Sequence, residues 1–537
     1  MAKTHITLIL IKDGLNVTDI VSSDCKIINF QDGQKLYYKD SIAKTPKWVA
    51  DFMDDNEDAK RLFKIQCVSA VMFFNRHYED GDRLFAITFG FGRNLIKPDA
   101  IEERFGLITA LSSIGKEKIR SLDLSSLESI LLNSRIQASS LSGIENFSLN
   151  FNRDLLKAVT GKLEGGREAG SLTGKDSLGF STKCTYRTLG IEIDKHYKAY
   201  KSGDYRNSFK WIDKIKYIKD RTTIAALDKY IVKRINENQF DNIWISYPDI
   251  IDWNKLDHFK FGREDFLEDL DVQFIHDELI KKDEDKVDLD TLKSRKIFAY
   301  DSSNIKIGTW PLYKCLYVDY QIDGRQYFLH EGKWFKIDTT FVHEINEFYN
   351  NVPILNLELP EYSFRTEDEY NKEIAKDEHF FLMDKKLQKV DGDEFELCDV
   401  MSSQKELIHV KKFTSSAVLS HLFNQGLVSA ECITDVSIRT QANRILGEGF
   451  KLNIASFNPK DYKVVFVIAK KNANPSEHPV IPFFSKVALQ NVANTLTLIG
   501  YQYAIKAVPF TYVDSEKEEK KKAKRRKEQN ELHEIDS

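Results

Sequence analysis

The sequence predicts an α/β chain, with an α+β N-terminal region and a C-terminal αβββαβ core. Three observations predict it. Apolar runs such as Ile6-Thr-Leu-Ile-Leu-Ile11 and Val464-Val-Phe-Val-Ile-Ala469 have the length of strands. Asp-Gly pairs at 80–81, 323–324 and 391–392 separate extended segments, and glycine tolerates the positive φ that tight hairpin turns need. Hydroxyl residues at Thr366 and Ser415-Ser416 precede stretches with helical apolar spacing.

Length and composition bound the function. A chain of 537 residues predicts two to four domains. The 42% hydrophobic and 30% charged fractions are those of a globular protein with sizeable cores. No apolar run is long enough for a membrane span, and Met-Ala-Lys-Thr-His leads into a strand with no signal-peptide core. The net charge of −4 confines any grip on nucleic acid to local patches. The six cysteines are widely spaced, which argues against a zinc knuckle or disulfide framework and predicts a cytoplasmic protein.

Strands are expected at Thr4–Lys12, Val68–Tyr78 and Arg83–Phe91, the last two forming a hairpin. Helices are expected after Pro98 and over Leu124–Ile136, Arg153–Thr160 and Thr222–Asn238. Lys162–Gly179 reads as a mobile loop and Ile243–Tyr247 as a strand. Asp277–Lys296 is densely charged and reads as a surface helix or connector. An antiparallel meander follows at Tyr313–Gln321, Gln326–His330 and Lys333–Ile337, then a helix at Thr339–Asn350.

In the last region, Thr366-Glu-Asp-Glu369 is a capping box opening a helix to about Lys376. Strands are expected at Phe380–Leu387, Glu394–Val400 and Glu406–Phe413. A helix starts at Ser415-Ser416 with Val418, Leu419, Leu422, Phe423 and Leu427 on its apolar face. Lys463–Ala469 reads as a central strand, Ser485–Ile499 as a helix stopped by Gly500, and Tyr501–Val508 as a closing strand. Four segments follow from this. They are a 1–275 recognition or sensor region, a 276–360 connector and meander, a 361–513 αβββαβ domain and a 514–537 basic tail. Ser515–Asn530 carries eight Lys/Arg against four Glu, so Lys521, Lys522, Arg525 and Arg526 are candidate nucleic-acid contacts.

Two short motifs fail chemical tests. Gly170-Ser-Leu-Thr-Gly174-Lys175-Asp176 lacks the first Walker glycine and the Mg²⁺-binding hydroxyl after the lysine. His343-Glu-Ile-Asn-Glu347 has Glu where a zinc protease needs its second His, so it reads as an exposed helix face. Phe89-Gly90-Phe91-Gly92-Arg93 ends a hairpin strand, and Arg93 is a candidate for a phosphate.

The strongest constellation lies around the last hairpin. Alternation puts Phe395, Leu397 and Asp399 on one face, and His409 and Lys411 on a shared face of the partner strand. A carboxylate that holds Mg²⁺ (or Mn²⁺), beside a Lys that offsets charge on phosphorus oxygens, is what metal-dependent phosphodiester cleavage needs. Glu369 and Glu373, one helical turn apart on the capped helix, are candidate further carboxylates. Lys412, beside the site, is a further candidate nucleic-acid contact.

Asp399 and His409-Val-Lys411 within this element order resemble the PD-(D/E)xK restriction endonucleases, particularly the Mrr type, over about residues 365–510. The resemblance implies a metal-binding role for Asp399, a catalytic role for Lys411 and a helix-acid role for Glu369. His409 stands where that family has Glu or Gln, and the resemblance makes it a ligand or water orienter. The whole chain also resembles a sporadically distributed bacterial family of mobile and defence islands. That likeness rests on Arg83–Arg93, Arg153–Gly161, Gly332–Phe335, Ile408–Lys411 and Leu419–Gly426, and it implies defence against phage or plasmids.

The expected function is therefore a Mg-dependent nuclease, with DNA favoured over RNA, in which Asp399, His409, Lys411 and Glu369 are catalytic. The alternative is a non-catalytic nucleic-acid-binding or sensor component with a degenerate nuclease fold. A homo-oligomer or a partner protein of the defence system is compatible with either.

Overall fold

The computed structural model describes residues 3–512 except 41–42, 47, 50–52, 54–55, 128–131, 164–169, 241, 246, 249–255, 263, 268–269, 271, 281–286, 303, 385–386, 391–392 and 414–415. Helices and strands are both abundant, so the chain is mixed α/β. Among the described residues no helix is long and apolar enough to cross a membrane. The chain divides into two compact units, one of residues 1–125 and 133–213, the other of 126–132 and 214–537.

The first unit is built on one wide sheet. Its strands run in the order Lys26–Asn29, Lys35–Lys39, Ser69–Tyr78, Gly81–Gly90, Thr4–Leu10, Ser177–Thr182, Ser171–Gly174, Asp154–Leu163, Ile114–Ser126 and Leu132–Ser142. The Asp80-Gly81 hairpin is present, with Tyr78 paired to Gly81. A helix at Phe105–Ser113 buries Phe105, Leu107, Ala110 and Leu111 in the core formed by Ile6, Leu8, Leu10, Leu156 and Leu178.

Two expected helices here are strands. Asp154–Leu163 replaces the helix at Arg153–Thr160, and Ile114–Ser126 with Leu132–Ser142 occupies the segment Leu124–Ile136. Short apolar runs fit either state locally, and pairing with neighbouring strands decides it. The Lys162–Gly179 segment likewise contains two paired strands, Ser171–Gly174 and Ser177–Thr182. The near-Walker segment is thus a hairpin turn, in which Asp176 accepts the backbone N–H of Arg104.

The second unit opens with Ile215–Tyr217 and the helix Arg221–Asn236, which matches the expected Thr222–Asn238. The meander is observed at Leu316–Ile322, Arg325–His330 and Lys333–Ile337, flanked by Ile215–Tyr217 and Ile243–Ile245. The helix after it spans Thr339–Asn350, as expected, with Asp338 capping Thr340 and Phe341. His343 and Glu347 are exposed on it.

The C-terminal part of this unit keeps the expected order with two additions, a hairpin of Leu387–Val390 and Asp393–Glu396 and a helix at Val436–Ala442. It comprises α1 (Glu367–Ile374), β1 (Phe380–Leu382), β2 (Val400–Ser402), β3 (Glu406–Lys412), α2 (Ser416–Ile433), β4 (Lys463–Lys470), α3 (Phe483–Leu498) and β5 (Gln502–Pro509). The sheet runs β1-β2-β3-β4-β5, antiparallel through β3 and parallel from β3 to β5. Thr366 and Glu369 form the capping box of α1, and Gly500, with φ +93°, follows α3.

Period-2 alternation sorts the central strands between two cores. Leu407, Val464, Phe466 and Ile468 pack with Leu419, Leu422, Phe423, Leu489 and Val492. Ile408, Val410, Val465 and Val467 pack on the other face with Tyr362, Tyr370 and Ile374. Gly426 lets α2 settle on β4, because a Cβ there would fall 2.5 Å from the Phe466 ring.

The expected strand Glu394–Val400 is interrupted. Asp393–Glu396 pairs with Leu387–Val390 in a separate hairpin, and the sheet strand starts at Val400. The expected strand Phe380–Leu387 ends correspondingly at Leu382. The Asp391-Gly392 turn, the Ser415 cap and the tail with Lys521, Lys522, Arg525 and Arg526 lie outside the described residues.

Candidate metal centre

The interruption before β2 positions the site. Asp399 lies at the junction between the hairpin and β2, where its backbone N–H donates to Ile408 of β3. Its carbonyl accepts the N–H groups of both Met383 and Asp384, each at 2.9 Å, and so ties the exit of β1 to the entry of β2. Carboxylate oxygens of Asp384, Glu396 and Asp399 all lie within 4.8 Å of one another. Three carboxylate oxygens at that spacing form a donor set of the kind that holds a hard metal cation.

Asp399 is 4% exposed, and its Oδ2 accepts the backbone N–H of Val410 at 2.6 Å. Burial raises its pKa to about 7; the Val410 hydrogen bond and the Lys411 charge oppose this, and the charges of Glu396 and Asp384 add to it. Asn371 of α1 donates from Nδ2 to Asp384 Oδ2 at 3.3 Å.

Lys411 supplies the cation. Its ammonium sits 2.5 Å from Oε2 of Glu367, the first residue of α1, and the N–H of Lys412 donates to Oε1 of the same carboxylate at 3.3 Å. Burial pulls the Lys411 pKa down, but the Glu367 hydrogen bond and the charges of Glu367, Asp399 and Glu396 outweigh it. The result lies above the ordinary lysine value, so the group stays charged.

The sequence-predicted residues separate at this point. Asp399 and Lys411 share one electrostatic environment. Glu369 is not part of the carboxylate group: its side chain accepts the N–H groups of Arg365 and Thr366, because the third position of a capping box is committed to its own helix start. Glu373 is occupied by Lys376.

His409 shares the strand face of Leu407 but is fully buried, and neither ring nitrogen has a hydrogen-bond partner. Burial, with the nearby Lys411 charge, lowers its pKa to about 3, so the ring is neutral. It is not among the clustered ligand atoms. The Lys412 ammonium lies over the Phe510 ring at 3.9 Å. Arg93 is exposed on a short 3₁₀ turn of the first unit.

Asp384, Glu396 and Glu367 were not singled out from sequence. Glu367 had a legible signal: with Glu369 spent on the cap, the remaining first-turn acids were Glu367 and Asp368. Asp384 and Glu396 had none, because continuous strands were expected through both.

A family model, that of a family of unknown function (DUF6119), matches residues 6–509. No curated protein and no solved structure matches the chain.

Proposed function

Proceeding from a chain that belongs to the DUF6119 family, we propose a metal-dependent nuclease that hydrolyses phosphodiesters, with DNA favoured over RNA. One observation carries the reading: a trio of carboxylates, the buried Asp399 with the half-buried Asp384 and Glu396, lies beside a charged lysine. A divalent cation held by the trio supplies Lewis acidity toward water and phosphate oxygen. Lys411 offsets negative charge developing on the phosphorus oxygens, in a partly buried setting where that charge counts for more than in water. Glu367 orients the ammonium. The Asp399 hydrogen bond to Val410 fixes its carboxylate relative to β3.

The likeness of 365–510 to Mrr-type nucleases is consistent with this chemistry, and the likeness of the whole chain to a defence-island family supports defence against phage or foreign DNA as its setting. With the inserted hairpin and the helix Val436–Ala442 set aside, the order of the remaining elements, α-β-β-β-α-β-α-β, supports the expected nuclease core. Mg²⁺ or Mn²⁺ suits an all-oxygen donor set.

A second reading has its own observation. His409 stands where the resembled nucleases have an acid or amide, yet it is buried and unpartnered. This favours a non-catalytic nucleic-acid-binding or sensor component. Incubating the purified protein with plasmid, single-stranded DNA and RNA, in Mg²⁺, Mn²⁺ or chelator, separates the two. Metal-dependent products that vanish in Asp399→Ala support the nuclease. Salt-sensitive binding that survives chelator, without products, supports the binder.

A further inference from the structure

We propose that Asn371 contributes Oδ1 as the fourth oxygen of the cation centre formed by Asp384, Glu396 and Asp399. The inference rests on reading those carboxylates as a cation site and deepens it by naming a neutral ligand. Asn371 lies on α1 one helical turn after Glu367 and is only 1% exposed. Its Nδ2 donates to Asp384 Oδ2 at 3.3 Å, so the amide is directed at the carboxylate group. Its Oδ1 is buried and has no hydrogen-bond partner.

A buried acceptor left unsatisfied is destabilising, because it has given up its hydrogen bonds to water and gained none. Only a hydrogen-bond donor or a cation satisfies it. The neighbouring carboxylate, Asp384, already accepts from Nδ2 of the same amide, and the Lys411 ammonium is engaged by Glu367. A cation attracted by three carboxylates is therefore the partner this oxygen fits. Amide oxygens are ordinary ligands for hard divalent ions. A neutral fourth donor also completes the set without adding a fourth like charge to a trio already dense in negative charge.

The test measures Mn²⁺ binding without substrate, by the electron paramagnetic resonance of free Mn²⁺, on the full chain and on Asn371→Leu, Asn371→Asp and Asp399→Asn. Metal-free melting temperatures are recorded beside it. The wild type binds Mn²⁺ and Asp399→Asn does not. Asn371→Leu weakens binding by roughly tenfold or more. Its metal-free melting temperature is unchanged or higher, because an apolar side chain of similar size removes the unpaired acceptor.

If Asn371→Leu also destabilises the metal-free chain, Asn371→Asp, which keeps an oxygen in place, retains Mn²⁺ binding; its failure to do so overturns the inference. Wild-type affinity in Asn371→Leu, or no Mn²⁺ binding by the wild type, overturns it as well. The two readings fail separately. A chain that binds Mn²⁺ through Asn371 but cuts nothing loses the nuclease reading alone. A chain that cuts nucleic acid, with Asn371→Leu binding Mn²⁺ like the wild type, loses the present inference alone.

Discussion

The ammonium of Lys411 on β3 lies 2.5 Å from the carboxylate of Glu367 at the start of α1. This pair joins the end of a central strand to the start of a helix whose first turn carries three acids. It keeps a cation beside three carboxylates without leaving it to neutralise them.

Lys411→Ala is predicted to lower nuclease activity by about a hundredfold or more, the scale of losing a preorganised charge at a transition state. The fold is retained. Glu367 loses its partner but stays at a helix N-terminus, where the dipole favours an anion, and the pair is partly exposed, so the stability cost is about 1 kcal/mol or less. A plasmid-nicking assay beside a melting curve checks both. Undiminished nicking contradicts the assignment.

The two helix acids separate cleanly. Glu367→Gln removes the anchor of Lys411 and is predicted to reduce cleavage while leaving the helix cap intact. Glu369→Gln weakens the capping box only slightly, because Gln can fill the same position, and leaves cleavage unchanged. Initial rates and urea midpoints for the two variants show the opposite pattern if Glu369 is the functional acid.

His409 gives a pH signature. Its folded pKa, about 3, is depressed by burial below the ordinary histidine value of 6.5. As pH falls below about 6.5 the unfolded chain takes up a proton that the folded chain refuses. The stability present at neutral pH is therefore lost progressively from about pH 6.5 down to about pH 3, by on the order of 4 kcal/mol in total. His409→Leu is predicted to flatten that part of the stability–pH curve. At pH 7 it leaves stability unchanged or raised, because it removes two unsatisfied polar atoms. Denaturant unfolding at pH 7 and pH 5 measures it, and an unchanged pH slope in the variant refutes it.

Asp319 carries the opposite sign. It is buried on Leu316–Ile322, accepts the N–H of Phe483 at 2.8 Å and so anchors α3. Burial raises its pKa to about 7 from 3.8. Its contribution to stability is full below about pH 4 and is lost as pH rises toward 7. Asp319→Asn keeps an acceptor for Phe483 without a titrating proton. The variant is predicted to gain stability relative to the wild type between pH 5 and pH 8, and a constant difference across that interval contradicts the assignment.

Much of the C-terminal architecture was legible because local and tertiary signals agree there. Thr366 and Glu369 cap a helix in any context, and Val464–Ala469 is apolar on both faces because helices cover both. The link between Asp399 and Lys411 was legible from the short turn joining β2 and β3. The helix acid was misplaced between Glu369 and Glu367, since a motif counts residues but not the hydrogen bonds that already occupy them. Asp384 and Glu396 join the site only because a separate hairpin interrupts two apparent strands. In the first unit, Arg153–Thr160 has helical composition, but pairing across Thr160 and Thr173 places it in the sheet.

Mn²⁺ located by anomalous diffraction in crystals of the protein tests the central claim most directly. The account predicts one peak within about 2–2.5 Å of oxygens from Asp384, Glu396 and Asp399, lost in Asp399→Asn. Ordered Mn²⁺ elsewhere with this trio empty, or the three carboxylates closed on one another by shared protons at saturating Mn²⁺, would contradict it.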